Sequence, residues 1–89
     1  MSQVTIDCTF LKGNGNISIK IIGTTIPIIT STETFSQTFE CPDGDYIISV
    51  AGISPSKGSC KFNITGVSPV INEIFASGPF HKLYHVNVP

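Results

Sequence analysis

The 89-residue chain contains no tryptophan and no arginine, a single methionine, and only 12% charged residues. Each shortage excludes something. Without Arg there is no fork-shaped donor of the kind that grips phosphate or carboxylate bidentately, and five Lys against six acids form no basic stripe, so nucleic acid is not an expected partner. No run of about 18 consecutive apolar residues occurs, which excludes a helical membrane span. The opening Met1-Ser2-Gln3-Val4 passes directly into alternation and shows neither the basic nor the apolar region of a secretory leader, so a cytoplasmic chain is the default expectation. Cysteine is sparse too: Cys8, Cys41 and Cys60 share no metal-type spacing, and an odd number cannot all pair within one chain. Buried free thiols are the expectation.

Helix formers are the last shortage, with two Leu and two Ala against fourteen Ile. Ile, Val and Thr lose side-chain freedom in a helix and fit a pleated, half-buried surface, so every segment long enough to be an element should be a strand. Val4 to Leu11 alternates with Val4, Ile6, Cys8 and Phe10 on one face. Lys12 to Asn16 reads as a hairpin loop into Ile17 to Ile22, whose Ile17, Ile19 and Ile21 face inward. Ile26 to Thr30 follows, with Pro27 removing a ladder donor and assigning that strand to a sheet edge. Glu33 to Cys41 and Tyr46 to Val50 flank the turn Pro42-Asp43-Gly44-Asp45, and a looser loop, Gly52 to Gly58, leads to Cys60 to Thr65. Val70 to Phe75 and Phe80 to Val88 complete the set.

Seven or eight short strands at intervals of about ten residues predict a single domain over residues 1–89: a small antiparallel β-sandwich of Ig-like or prealbumin-like type, with a small barrel as the alternative. If the strands flanking the Pro42 turn pair with each other, Cys41 and Cys60 lie at opposite ends of Tyr46 to Val50, more than about 10 Å apart and beyond disulfide reach. A Cys8–Cys60 bridge stays open, since both residues face inward and can lie on opposing sheets.

The stretch Phe39-Glu40-Cys41-Pro42-Asp43-Gly44-Asp45-Tyr46-Ile47-Ile48-Ser49-Val50-Ala51-Gly52 resembles the Gly-x-Tyr, alternating apolar, Gly hairpin of carboxypeptidase regulatory-like and PEGA-type sandwich domains, over about a sixth of the chain. It is also similar to the Asp, Gly, Tyr turn of immunoglobulin domains, although Ile48 stands where those carry Cys and no Trp exists to pack on a bridge. The resemblance implies a way of turning the chain inside a sandwich. Because those families are mostly accessory modules, it implies no catalytic or binding residue.

Chemical constellations are thin. His81 and His85 flank Leu83 on one face, but four residues of extended strand separate their Cα atoms by about 13 Å, too far for one ion, and two surface histidines are the simpler reading. Glu40, Asp43 and Asp45 cluster at the tight turn, where Ca²⁺ would need six to eight oxygens, and Asp in turns ordinarily serves local hydrogen bonding. Asn16-Ile17-Ser18 and Asn63-Ile64-Thr65 fit the glycosylation pattern, which a chain so rich in Asn, Ser and Thr produces by chance. No nucleophile elbow, phosphate loop or His-Glu-x-x-His occurs, so an enzyme is not expected, and neither is a cofactor or a metal.

What remains is a set of apolar residues in slots that alternation assigns to water. Leu11, Ile22, Ile29 and Ile47 all stand at the opposite parity from their strands' core residues. Scattered surface hydrophobes are the plain reading. The sharper one is a contiguous patch covered by a protein partner or a second subunit, making the chain a non-enzymatic structural or protein-interaction module that works through a sheet face or edge strand. The alternative is a carbohydrate-binding or adhesion domain, for which Tyr46 and Tyr84 are the candidate stacking platforms.

Overall fold

The computed structural model describes residues 2–89 and contains six strands: β1 (Ser2–Leu11), β2 (Asn16–Ile22), β3 (Ile29–Ser31), β4 (Phe35–Cys41), β5 (Gly44–Thr65) and β6 (Ile71–Val88). All pair antiparallel in one sheet of order β3-β2-β5-β1-β4, with β6 along the other edge of β5. The count is six rather than seven or eight because two expected loops are not breaks. Tyr46 to Val50 and Cys60 to Thr65 belong to β5, and Val70 to Phe75 and Phe80 to Val88 belong, from Ile71 onward, to β6.

Length explains the shape. Straight, the 22 residues of β5 would run about 73 Å at 3.3 Å per residue, yet the molecule is 38 Å in its longest dimension. The β5–β6 hairpin therefore bends. Residues 55–58 of β5 stand opposite the single Ser77 of β6, a bulge between the Ser54–Gly78 and Ser59–Ala76 pairs. Glycine fits this corner because a Cβ at Gly58 would overlap the Leu11 carbonyl oxygen. Two limbs result. The first layer joins β3, β2 and the 44–54 and 78–88 parts of the hairpin; the second joins β4, β1 and the 59–65 and 71–76 parts. Strands that pass from one layer to the other through a bulge make the sheet nearly closed and barrel-like.

The core lies between the layers. Val4, Ile6, Cys8 and Phe10 of β1, Ile17, Ile19 and Ile21 of β2, and Cys60, Phe62 and Ile64 of β5 are all buried, as alternation predicts. Pairing departs from the expectation in two places. β1 and β2 do not form a hairpin with each other; they lie in succession along one edge of β5. β4 does not pair with β5 across Pro42-Asp43-Gly44-Asp45 but with β1, from Ser2–Cys41 to Cys8–Phe35. Those turn residues carry the chain from one layer to the other, and Gly44 supplies the positive φ of 150° that the passage uses. Tyr46 pins it, donating from its hydroxyl to the Pro42 carbonyl at 2.7 Å. The edge strand Ile29–Ser31 pairs with β2 alone, and Pro27 precedes it.

Candidate functional site

The outer faces of the two layers differ. On the second, the rows read Thr38–Thr5–Thr65, Ser36–Asp7–Asn63–Asn72 and Thr9–Lys61–Ile74, and Thr5 and Thr38 share a hydroxyl hydrogen bond of 2.9 Å. Polar side chains dominate that face, with Ile74 exposed at one margin and Leu11 at the corner. On the first layer, Ile22 of β2, Ile47 of β5 and His85 of β6 lie side by side, and the next row is Lys20–Ser49–Leu83. Ile22 is 45% exposed, Ile47 43% and Leu83 58%. These three apolar side chains form one strip across three strands, with His81 and His85 beside Leu83 on β6. Ile22 and Ile47 are direct cross-strand neighbours, and Leu83, opposite Ser49, is the diagonal neighbour of Ile47, within reach of a long side chain, so the three occupy adjacent rows of one face.

The expected set divides accordingly. Ile22 and Ile47 are cross-strand partners in the strip. Leu11 is exposed but lies on the outer face of the second layer, at the corner, paired with Ser59. Ile29 does not belong to the surface. It is 8% exposed and pairs with Ile19, because the strand begins at Ile29 and parity counted from Ile26 is lost in the preceding irregular segment. Leu83 was the missing member, and its signal was available: it shares parity with His81 and His85, the exposed face of β6.

Neither candidate sugar platform is on the surface. Tyr46 is buried beneath the layer crossing, with its hydroxyl given to Pro42. Tyr84 is buried beneath the closing edge of the layers, in a stacked contact with Phe62 at 6.3 Å. Above it, Lys82 lies 5.4 Å from the ring centroid and forms an ion pair with Glu73 from the other limb of β6. Phe75 and Phe80 stack nearly parallel at 4.2 Å across the same fold of the strand. The Tyr84 hydroxyl is buried near the Glu73 carboxylate without a well-formed hydrogen bond, and burial first, then the Glu73 charge and its hold on the phenol proton, keeps the phenol above its ordinary pKa.

Cys8, Cys41 and Cys60 are buried free thiols. Cys8 and Cys60 are not on opposing sheets: they occupy neighbouring strands, where Cys8 pairs with Phe62 and Phe10 with Cys60. That register makes them diagonal neighbours on the inner face, with sulfurs 3.2 Å apart. The contact between the thiols, with burial adding to it, raises the Cys8 pKa, whereas the same contact lowers that of Cys60 against the effect of burial.

Of the carboxylates at the turn, Asp45 accepts a hydrogen bond from the Asn87 side-chain amide at 2.9 Å. Among the described residues no group of three or more His, Cys, Asp or Glu is arranged to hold a metal ion. The crevice between the layers, lined by Val4, Ile21, Phe39, Cys41, Tyr46 and Val86 among others, offers about 10 Å³, the lower limit for a single water. No helix is long and apolar enough to cross a membrane among the described residues. Compared with known proteins, the chain matches no family model, no curated protein and no solved structure.

Proposed function

We propose that this chain is a non-enzymatic, Ig-like β-sandwich module that assembles through the outer face of its first layer, with a second copy of itself as the partner. The observation that carries the reading is the Ile22–Ile47–Leu83 strip, set against the polar outer face of the second layer. An apolar strip on one face of a small domain is what an isologous contact needs, since the same patch serves both sides. The near-neutral net charge of −1 sets up little repulsion between copies. The layer crossing at Pro42 to Tyr46 supports the Ig-like part, because a tyrosine hydroxyl returned to the backbone upstream is the device such sandwiches use at a corner.

The carbohydrate reading loses both of its stacking platforms, as Tyr46 and Tyr84 are buried. Size-exclusion chromatography with light scattering over a concentration series tests the assembly. A mass above 9.5 kDa that returns to the monomer value in Ile47→Lys and Leu83→Lys supports it. A wild-type monomer persisting to about 1 mM, the range of the weakest contacts, overturns self-association through this face.

A further inference from the structure

Two of the three thiols meet in the middle of the core. Cys8 and Cys60 are fully buried, sit on strands joined by ladder hydrogen bonds, and bring their sulfurs to 3.2 Å in a thiol–thiol hydrogen bond with no covalent link between them. A cross-strand diagonal of this kind is close enough for a small shear of β1 against β5 and a side-chain rotation to bring the sulfurs to bonding distance. Cys41 takes no part in this contact; it lines the crevice at the Tyr46 side, next to Val4 and Phe39.

We propose that Cys8 and Cys60 are a redox pair, converting to a disulfide that ties β1 to β5 under oxidising conditions and reopening under reducing ones. The chemistry is thiol–disulfide exchange with a small-molecule disulfide such as oxidised glutathione. The Cys60 thiolate attacks one sulfur of the oxidant, giving a mixed disulfide and releasing the first glutathione as thiolate. The Cys8 thiol then gives its proton to solvent, and its thiolate attacks the Cys60 sulfur and expels the second glutathione. Two electrons pass to the oxidant, and the two protons lost by the protein are available to the two released thiolates. The two sulfurs are interchangeable in these roles, because the exchange begins only when both are exposed. Both sulfurs are buried, so the exchange takes place while the core is open, during folding or in a local opening of β1 from β5.

The test is to refold the reduced chain in glutathione buffers of graded oxidation, quench with acid, alkylate, and weigh the intact protein. Refolding in the buffer removes access as an obstacle. The expected product carries one alkyl group, on Cys41, and yields a Cys8–Cys60 linked peptide on proteolysis; Cys41→Ala forms the same bridge and Cys60→Ala forms no intramolecular one. Dithiothreitol restores three alkylatable thiols. Three alkylated thiols in the folded wild type at every buffer ratio, or a bridge that uses Cys41, would overturn the proposal.

Discussion

Glu73 and Lys82 form an ion pair although they are nine residues apart on the same strand, a separation that in an extended β6 would hold them about 30 Å apart. The strand is folded on itself at Ser77 and Gly78, and the pair closes the open side of the sheet beside the Phe75–Phe80 stack.

Which of the two contacts matters more follows from their exposure. Lys82 and Glu73 keep 49% and 30% of their side-chain surfaces in water, so Glu73→Gln should cost less than about 1 kcal/mol, with the difference shrinking at high salt. Phe80→Ala, which removes a stacked ring packed on the core, should cost about 2 kcal/mol or more. Urea denaturation of both variants at low and high salt gives the comparison directly, and an ion-pair loss equal to the ring loss would reverse the assignment.

The two tyrosines should respond unequally to losing their hydroxyls. Tyr46→Phe leaves the Pro42 carbonyl without its partner, at a cost of about 1 kcal/mol. Tyr84→Phe removes a buried hydroxyl that lies near the Glu73 carboxylate without a well-formed hydrogen bond, so its cost should be smaller than that of Tyr46→Phe. Thermal unfolding of the pair at pH 7 gives the comparison, and an equal or larger loss in Tyr84→Phe would contradict it.

Tyr84 also sets an alkaline limit. Its phenol is held above the ordinary value of 10.0, so near pH 10 and beyond the unfolded chain releases this proton while the folded chain keeps it. Fewer protons bound in the unfolded state means that stability falls as pH rises. The contribution is complete below about pH 10 and is lost progressively above it. The unfolding midpoint of wild type should therefore fall more steeply than that of Tyr84→Phe between pH 9 and 11; parallel slopes would contradict the shift.

Glycine positions along the hairpin should separate by what a Cβ meets. Gly58→Ala drives the new carbon into the Leu11 carbonyl, and Gly52→Ala into that of Asn16, so both should cost more than about 3 kcal/mol or prevent folding. At Gly78 nothing lies within 4 Å, and only the positive φ of 99° resists a side chain, so Gly78→Ala should cost about 1 kcal/mol. Soluble yield and denaturation midpoints would show the ranking.

The strip residues, by contrast, should matter little to the monomer's fold. Ile47→Thr and Leu83→Thr keep strand propensity and remove exposed apolar surface, so each should change stability by less than about 1 kcal/mol. A larger loss, measured by urea denaturation at concentrations where the chain is monomeric, would mean that these side chains pack as core.

Particular residues show how far alternation carries. Val4, Ile6, Cys8 and Phe10 point inward because side chains alternate with a period of two, and no knowledge of neighbours is needed to say so. The same rule identified Ile22 and Ile47 as exposed apolar residues. It failed at Ile29, where an irregular segment interrupts the count, and it passed over Leu83, whose slot among histidines looked ordinary. Gly52 to Gly58 has the composition of a loop, yet Gly52, Ile53 and Ser54 continue the ladder and residues 55–58 form a bulge within one strand: Gly, Ser and Pro permit a bend without deciding whether pairing stops.

By itself, the amino-acid sequence determined that this chain is all strand, which side chains fill its core, and that its surface is weakly charged, because β-branched composition and period-two alternation act locally. Only the tertiary structure decided that the turn after β4 does not form a hairpin and that β4 pairs with β1 instead, that one long hairpin bends to serve both layers, that Cys8 meets Cys60, and that Ile22, Ile47 and Leu83 lie in adjacent rows of one face. Turn residues specify a change of direction, whereas partners and register depend on how every apolar face is buried at once.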